Sequence, residues 1–275
     1  METRARTWVL WGCAAILIPL VLEGVYASLH LGAGHQPGLG NHEETVRMLP
    51  PAADGTFRFA VMGDPEEGAG VWRHLMRKAH ELGAQFVVIA GDLVDRPTRE
   101  GFEFFRYQYS ALGPDALPTF AAIGNHDLSA EGLFDEYIGP PEFSFVHGDS
   151  LFVFADNNLP EGLPRCGRYV RGEIERHRGR VRRVFIVVHK PLVDYRRQGG
   201  ELQRYREAGG YLYQVLDSER VDAVLAAHYH GYLRERYKDT LLVVTGGAGA
   251  RLHDSNAFHH MVLVDVGPDG IRDTV

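Results

Sequence analysis

Short apolar runs that each end in a polar residue constrain the fold of this chain most strongly. Residues 57–62 lead into Gly63-Asp64, and residues 86–90 lead into Gly91-Asp92. A segment of helical spacing, residues 71–82, lies between them and ends at a glycine. Strands that alternate with helices predict an α/β fold built on a largely parallel, layered sheet. Because ligands collect beyond the carboxyl ends of such strands, the polar residues at these ends are candidates for a functional site.

The same pattern continues along the chain. Residues 119–123 lead into Gly124-Asn125-His126-Asp127, residues 184–188 lead into His189, and residues 223–227 lead into His228. Other segments predict strands outside this series, namely residues 143–146, 151–154, 232–237, 241–245 and 261–266. We expect these additional strands to form a second, mostly antiparallel sheet.

Size and composition limit the classes of protein that fit. With 275 residues, 45% of them hydrophobic, the chain can bury a full core in one large domain. A formal net charge of −7 argues against general binding of nucleic acid or other polyanions. Two cysteines, Cys13 and Cys166, provide neither a disulfide framework nor a thiolate zinc site. Any metal ion must therefore bind to His, Asp, Glu or Asn.

The first 31 residues are typical of an export segment. Arg4 and Arg6 precede the apolar residues 8–22, a stretch that is short for a bilayer span and suits a signal peptide. The segment is either a cleaved signal peptide or, if residues 24–31 extend the stretch, an uncleaved membrane anchor. In both cases the positive flank stays inside, which predicts a periplasmic or extracellular location for the remainder. Residues 32–55 lack apolar periodicity and indicate a flexible linker, which leaves residues 56–275 as the domain.

The strand ends supply ligands for hard or borderline metal ions. Two carboxylates, one amide and three imidazoles occur there, namely Asp64, Asp92, Asn125, His189, His228 and His230. This set suits Mn, Fe or Zn, and it is too large for a single ion. A carboxylate can bridge two ions, as two-metal hydrolases require. His228 and His230 lie two positions apart, so they face the same side if the segment is extended.

Five motifs together resemble the calcineurin-like metallophosphoesterases, over about residues 57–266. They are Gly63-Asp64, Gly91-Asp92-Leu93-Val94-Asp95, Gly124-Asn125-His126-Asp127, His189-Lys190-Pro191 and His228-Tyr229-His230. The resemblance implies a layered β-sandwich of mixed sheets flanked by helices. It also implies a hydrolase that cleaves phosphomonoesters or phosphodiesters with two divalent metal ions.

The resemblance further assigns a role to each candidate residue. Asp92 would bridge both ions, with Asp64 and His230 on the first ion. Asn125, His189 and His228 would bind the second ion. His126 would be the acid that protonates the leaving oxygen, and Asp127 would orient it. A histidine suits this role because its pKa lies near neutral pH.

The sequence departs from the family pattern at two positions. The first motif of the family is usually Asp-x-His, but here it reads Asp64-Pro65-Glu66. Glu66 either binds the first ion as a carboxylate, which favours Mn or Fe, or points away and leaves that site weak. Ala227 stands where the family usually has glycine before its first histidine, which bears only on the backbone turn.

Two functional hypotheses follow. The first is the phosphoesterase, acting on a phosphorylated small molecule or lipid. Arg196 and Arg197, in an arginine-rich segment that follows His189, are candidate phosphate contacts, although a solvated surface loop is the alternative. The second hypothesis, motivated by Glu66, is an exported metal-binding receptor or interaction domain with reduced catalysis. Metal content and phosphodiester turnover discriminate between the two.

Overall fold

The computed structural model describes residues 37–159, 163–198, 201–204, 206–253 and 257–275. The described helices are α1 His42–Arg47, α2 Ala69–Glu81, α3 Arg99–Ser110, α4 Leu133–Tyr137, α5 Leu163–His177 and α6 Arg206–Ser218. The described strands are β1 Phe57–Met62, β2 Phe86–Ile89, β3 Thr119–Ala121, β4 Phe143–His147, β5 Ser150–Phe154, β6 Arg183–Val187, β7 Val193–Gln198, β8 Glu201–Arg204, β9 Ala223–Ala226, β10 Tyr232–Tyr237, β11 Thr240–Thr245, β12 Val262–Gly267 and β13 Gly270–Thr274. Short 3₁₀ turns cover Ala53–Gly55 and Gly113–Asp115.

Two mixed sheets form the centre of the fold. One has five strands in the order β13-β12-β1-β2-β3, and the other has six strands in the order β10-β11-β9-β6-β5-β4. In the first sheet β1, β2 and β3 are parallel, and β12 and β13 complete it as antiparallel strands. In the second sheet β5, β6, β9 and β11 are parallel, and β4 and β10 form its antiparallel edges. The predicted fold, a layered α/β sandwich of mixed sheets flanked by helices, is confirmed.

The prediction that the additional strands form a second, mostly antiparallel sheet was wrong. The parallel strands that end at the candidate residues do not share one sheet, because β6 and β9 lie in the second sheet with β4 and β5. The final apolar run, β12, pairs with β1 in the first sheet instead. Periodicity within a strand reports which faces are buried, but it carries no information on the neighbour with which the strand pairs.

Three apolar clusters hold the layers together. Between the sheets, side chains of both sheets form an aromatic cluster, in which the Phe59 ring lies 5.2 Å from Phe152 and 5.4 Å from Phe185. The outer face of the first sheet packs on α2, α3 and α4. The outer face of the second sheet packs on α5 and α6. Strands buried on both faces read as continuous apolar runs, which is why the central strands were readable from the sequence.

The prediction of a flexible linker was wrong for its described part, residues 37–55. Leu39 is buried and forms an isolated parallel bridge with Thr119 at the edge of β3. Helix α1 follows, with a cap from the Asn41 side chain, and the buried Thr45 hydroxyl donates to the Gly40 carbonyl at 3.0 Å. This segment contributes few apolar side chains, so no periodic pattern marks it in the sequence. These side chains nevertheless complete the first sheet and its core.

Helix α5 is a further element that the sequence analysis did not predict. The helix contains Pro164, Gly167 and Gly172, three residues that lower helix propensity. Proline is tolerated in the first helical turn, and packing on the second sheet buries Cys166 and Val170. Tertiary burial therefore outweighs the local propensity here.

Within the part of the chain that the structure describes, no helix is long and apolar enough to cross a bilayer. The apolar residues 8–22 and the rest of the predicted export segment lie outside the described residues.

Candidate metal centre

The loops that follow β1, β2, β3, β6 and β9 carry the candidate ligands. Four of these residues have left-handed backbone angles: φ is 56° at Asp64, 38° at Glu66, 53° at Asp92 and 69° at His228. Residues other than glycine seldom adopt such angles, and they persist only where surrounding contacts hold them. Those contacts are present, because the Glu66 amide donates to the Asp92 carbonyl and the His228 amide donates to the Asp64 carboxylate. The loops of the two sheets thus fix one another.

Two glycines permit this close approach. A Cβ atom at Gly91 would lie 2.6 Å from His189 Nδ1, and one at Gly124 would lie 2.1 Å from Asp92 Oδ1. Both separations are shorter than van der Waals contact, so a side chain at either position would displace a candidate ligand. The glycines of the Gly-Asp and Gly-Asn motifs are therefore explained by packing around the site.

A first group of ligand-type side chains surrounds His189. Its Nε2 atom lies 3.1 Å from Asp92 Oδ2, 3.0 Å from Asn125 Oδ1 and 3.2 Å from His228 Nδ1. The ligand atoms of Asp92, His189 and His228 all lie within 4.8 Å of one another. Four residues from four separate loops thus converge on one point, as the sequence predicted.

A second group consists of Asp64, Glu66 and His230. The His230 Nε2 atom lies 3.7 Å from Asp64 Oδ1 and 3.5 Å from Glu66 Oε1. Glu66 therefore faces the centre, and its binding of a metal ion stays a prediction. Asp92 connects the groups, because its carboxylate also lies within 4.8 Å of ligand atoms of Glu66 and His126.

Backbone carbonyls orient two of the imidazoles. His189 Nδ1 donates to the Ala90 carbonyl at 2.9 Å, and His230 Nδ1 donates to the Arg251 carbonyl at 2.8 Å. A carbonyl oxygen only accepts, so each Nδ1 carries the proton and each Nε2 faces the centre. This arrangement is the usual support of a histidine ligand.

His253 is a further residue of the site, and the sequence analysis did not select it. The His253 and His230 rings stack with their centroids 4.3 Å apart, and His253 Nδ1 accepts a hydrogen bond from the His230 amide. No periodicity could reveal this contact. The sequence signal was a single histidine after a strand and a glycine-rich stretch.

The pKa values of the clustered side chains show that this arrangement favours positive charge. Burial disfavours the charged ring of His189, but the hydrogen bond and charge of Asp92 outweigh it and raise the pKa of His189 to about 9. Burial likewise opposes charge on His230, yet the Glu66 and Asp64 carboxylates raise its pKa to about 9. Burial also raises the pKa of Asp64 to about 7. A cation bound among these groups would replace the protons that they otherwise share.

His126 adjoins the same groups, but its partner is not the expected one. Its Nδ1 donates to the backbone carbonyl of Asp95 at 2.8 Å. The Asp127 carboxylate is fully buried and accepts hydrogen bonds from the backbone amides of Leu93, Val94 and Gly124. Asp127 therefore holds the loops after β2 and β3 together, and the Asp95 carbonyl orients His126. Sequence reasoning could not separate these roles, because a backbone acceptor has no residue type.

His228 and His230 do not lie on an extended segment, so the prediction that they face the same side was also wrong. The left-handed conformation at His228 turns the chain, and the Tyr229 amide donates to the Ala227 carbonyl at 2.7 Å. The two histidines consequently join different groups. Ala227 fits the turn, since its side chain fills the space that Gly63 leaves open. The Arg196 and Arg197 side chains lie outside the described part of the structure.

The residues fit a metal site by their own chemistry. Asp64 Oδ1 and Glu66 Oε1 are buried side-chain oxygens that have no hydrogen-bond partner among the described residues. Buried carboxylate oxygens that lack a hydrogen bond cost free energy, whereas a cation between them would satisfy both. Oxygen and imidazole ligands without sulfur match Mn, Fe or Zn.

The fold and the site together define a class of protein: a two-sheet α/β sandwich with a cluster of carboxylate, amide and imidazole ligands at the strand ends. Residues 57–232 match the family model described as "Calcineurin-like phosphoesterase". The chain belongs to the calcineurin-like phosphoesterase family. Membership supports a metal-dependent phosphoesterase, a hydrolase of phosphate esters, as the general class. No curated protein matches the chain significantly.

Solved structures share the fold at low sequence identity. GAP50, the anchor in the inner membrane complex of Plasmodium, matches with a TM-score of 0.59 and 14% identity over 80% of this chain and 84% of that one. The purple acid phosphatase PPD1 from yellow lupin matches with a TM-score of 0.57 and 18% identity over 78% of this chain and 50% of that one. A dimetal phosphatase from Danio rerio matches with a TM-score of 0.56 and 15% identity over 80% of this chain and 99% of that one. At such identities the likeness concerns the fold alone.

Proposed function

We propose that this protein hydrolyses phosphomonoesters or phosphodiesters with two divalent metal ions and His126 as the general acid. One observation carries the proposal: the Asp92 carboxylate lies between two groups of ligands, one with His189 and His228 and one with Glu66 and His126. A carboxylate in this position can bind two ions at once. The dimetal phosphatase and the purple acid phosphatase that share the fold are consistent with this chemistry.

Each of the two groups of side chains would hold one ion. Asp64, Glu66 and His230 would hold the first ion. Asn125, His189 and His228 would hold the second ion, with Asp92 shared between them. Divalent ions, when bound, supply positive charge to the phosphoryl oxygens and a water-derived nucleophile at neutral pH.

His126 holds the proton that the leaving oxygen needs. Its Nδ1 proton is donated to the Asp95 carbonyl in a hydrogen bond, so Nε2 is the atom that transfers a proton. Burial disfavours charge on the ring, but the Asp95 hydrogen bond and the charges of Asp92 and Glu66 raise its pKa above the usual value. A raised pKa favours the protonated ring, which is the form that a general acid requires.

The substrate that we propose is a phosphorylated small molecule or lipid. The net charge of −7 disfavours long polyanions, so nucleic acid is not expected as a partner. Arg196 and Arg197 remain candidates for phosphate contact. The first 31 residues support export, with the domain outside the cytoplasmic membrane and anchored to it if the segment stays uncleaved.

A second candidate function is a metal-binding receptor or interaction domain with reduced catalysis. Two observations favour it: Glu66 stands where the family usually has histidine, and GAP50, described as an anchor, shares the fold. On this view the metal centre stabilises the domain and the His126 contact has no chemical role.

Metal analysis and turnover distinguish the two functions. The purified chain is reconstituted with Mn²⁺, Fe²⁺ or Zn²⁺, and bound metal is counted. Hydrolysis of bis-p-nitrophenyl phosphate and p-nitrophenyl phosphate is then measured. We expect about two ions per chain and turnover of at least one ester. The Asp92→Asn variant should lose both metal and turnover, whereas Asp217→Asn, a surface change on α6, should lose neither. Two bound ions without turnover of either ester would support the receptor.

A further inference from the structure

A cavity of about 270 Å³ lies beside the metal centre and is not explained by metal binding. Trp72 from α2 and Phe104 and Phe105 from α3 form its aromatic wall, and Leu93 and Val94 close it from the loop after β2. The Trp72 and Phe105 rings lie 4.9 Å apart and are buried. Phe104, in contrast, is 48% exposed, so its ring forms an accessible part of the wall.

The cavity borders the candidate site, because two of its lining residues also contact the groups around His126. Glu66 and Asp95 line it. Glu66 also belongs to the group of ligands that contains Asp92 and His126. The Asp95 carbonyl holds the His126 ring at 2.8 Å. A molecule in the cavity would therefore lie next to the general acid.

The position of the cavity relative to His126 determines which part of a substrate the cavity can receive. A general acid protonates the leaving oxygen, so the alcohol portion of the ester lies on the side of His126. A cavity of about 150 Å³ lined by apolar side chains already accepts a benzene ring, and this one is larger. Apolar and aromatic walls favour an apolar ring over a hydrated chain.

Two residues of the wall carry polar atoms that lack a partner. Among the described residues, Trp72 Nε1 and Gln108 Oε1 are buried without a hydrogen bond. Both side chains line the cavity and are more than nine-tenths buried. Buried polar atoms without a partner are uncommon in proteins, and each calls for an explanation such as a water, an ion or a ligand atom.

We infer that this cavity is a subsite for the alcohol portion of the substrate and selects phosphate esters whose leaving group carries an aromatic ring. The inference rests on the proposed function, because the aromatic ring enters the cavity as part of the ester that the metal centre cleaves. It narrows the substrate class from phosphate esters in general to esters of arylalkyl alcohols.

The first test compares two esters that differ by one ring. 2-Phenylethyl phosphate and ethyl phosphate have leaving oxygens of the same chemical type, and both are tested as monoesters and as methyl diesters with the metal-reconstituted chain. Burial of the ring should raise kcat/KM of the phenylethyl ester roughly ten- to a hundredfold over the ethyl ester. Equal values for the two esters would overturn the inference.

Substitutions in the cavity wall test whether the preference for the phenylethyl ester arises in the cavity. Ala69 lines the cavity at the start of α2 and is partly exposed, so Ala69→Phe fills the space. It should abolish the preference for the phenylethyl ester. Phe104→Ala removes an exposed ring and should weaken the preference without risk to the core. Tyr211→Ala, an exposed aromatic on α6 away from this wall, is the matched control and should retain it. Thermal unfolding of each variant checks its fold.

A binding measurement separates this inference from the proposed function. Saturation-transfer NMR is recorded with 2-phenylethanol, which contains the ring and no phosphate. We expect transfer to the wild-type chain and loss of transfer in Ala69→Phe. That result without turnover of any ester would contradict the proposed hydrolase and leave the aromatic subsite standing. Absence of transfer to the wild type, or equal transfer to Ala69→Phe, would overturn the subsite.

Discussion

Asp64, Glu66, Asp92 and His228 have backbone angles that residues with side chains seldom adopt. Each angle aims a ligand at the centre, and each is held by hydrogen bonds from a loop of another strand. The free energy stored in these conformations must come from the surrounding fold. At the scale of single residues, the site is therefore a set of constrained side chains, and its chemistry can be tested one residue at a time.

Removal of the acid should slow esters according to their leaving group. His126→Ala removes a proton donor and leaves the ligands in place, so it should keep metal and slow alkyl esters by ~10²–10⁴-fold. Esters of p-nitrophenol, whose leaving group needs little protonation, should be affected much less. Rates of both ester types with metal-loaded protein provide the measurement. An equal loss for both types would contradict the assigned role.

Glu66 should determine the metal preference of the group that it forms with Asp64 and His230. With Asp64 and Asp92 it provides three carboxylates and His230 the single imidazole, a set that favours harder ions. Activity should therefore be highest with Mn²⁺ or Fe²⁺ and lower with Zn²⁺. Glu66→His should raise the Zn²⁺-supported activity, and Glu66→Ala should weaken binding of one ion. Titration calorimetry and rates with each metal test this, and an unchanged preference in both variants would show that Glu66 is not a ligand.

Metal affinity should increase with pH up to about 9. In the metal-free protein the carboxylates raise the pKa values of His189 and His230 to about 9, so both rings carry a proton at neutral pH. A metal ion must displace these protons, and the apparent affinity therefore falls as the pH decreases from 9 to 6. Calorimetry in buffers of different ionisation enthalpy should detect proton release on binding. A pH-independent affinity over this range would refute the explanation.

At the scale of elements, the site depends on strands that end at one edge of the sandwich. β1, β2 and β3 bring their loops from one sheet, and β6 and β9 bring theirs from the other. The buried Asp127 carboxylate connects the loops after β2 and β3 through backbone amides. These elements are held partly by the segment before β1, which sequence analysis assigned to a linker.

Removal of that segment should destabilise the domain. A chain that begins at Thr56 lacks Leu39, whose burial alone contributes about 1.5–3 kcal/mol, and it leaves the edge of β3 without a partner. Its melting temperature should lie roughly 5–10 °C below that of a chain that begins at Gln36. Thermal unfolding of the two chains by circular dichroism provides the comparison. Leu39→Ala in the longer chain should show part of the same loss, and equal stability of all three proteins would mean that the segment is not part of the fold.

At the scale of the whole molecule, the first 31 residues predict the location of the domain. Arg4 and Arg6 before an apolar stretch predict that the remainder is exported. A reporter fused after Val275 that is active only outside the cytoplasm should therefore give a signal in cells. Replacement of Arg4 and Arg6 by glutamate should reduce that signal. Activity of a cytoplasmic reporter at the same position would refute export.

The sequence by itself determined the strands that are buried on both faces, the order of the ligand-bearing loops and the membership of the family. Continuous apolar runs, and the polar residue that follows each run, are local patterns that can be read directly from the sequence. Hence Asp64, Asp92, Asn125, His189, His228 and His230 could be selected before any fold was known. The fold class followed from the alternation of strands and helices.

Only the tertiary structure decided how these pieces pair and what supports them. It placed β6 and β9 in the second sheet, packed residues 37–55 on the first, and gave His126 the carbonyl of Asp95 as its partner. It also formed the aromatic cavity, whose walls come from segments far apart in the chain. Strand pairing, backbone acceptors and cavities depend on long-range contacts, and a carbonyl oxygen is the same at every position of the sequence. A pattern of residue types therefore carries no record of them.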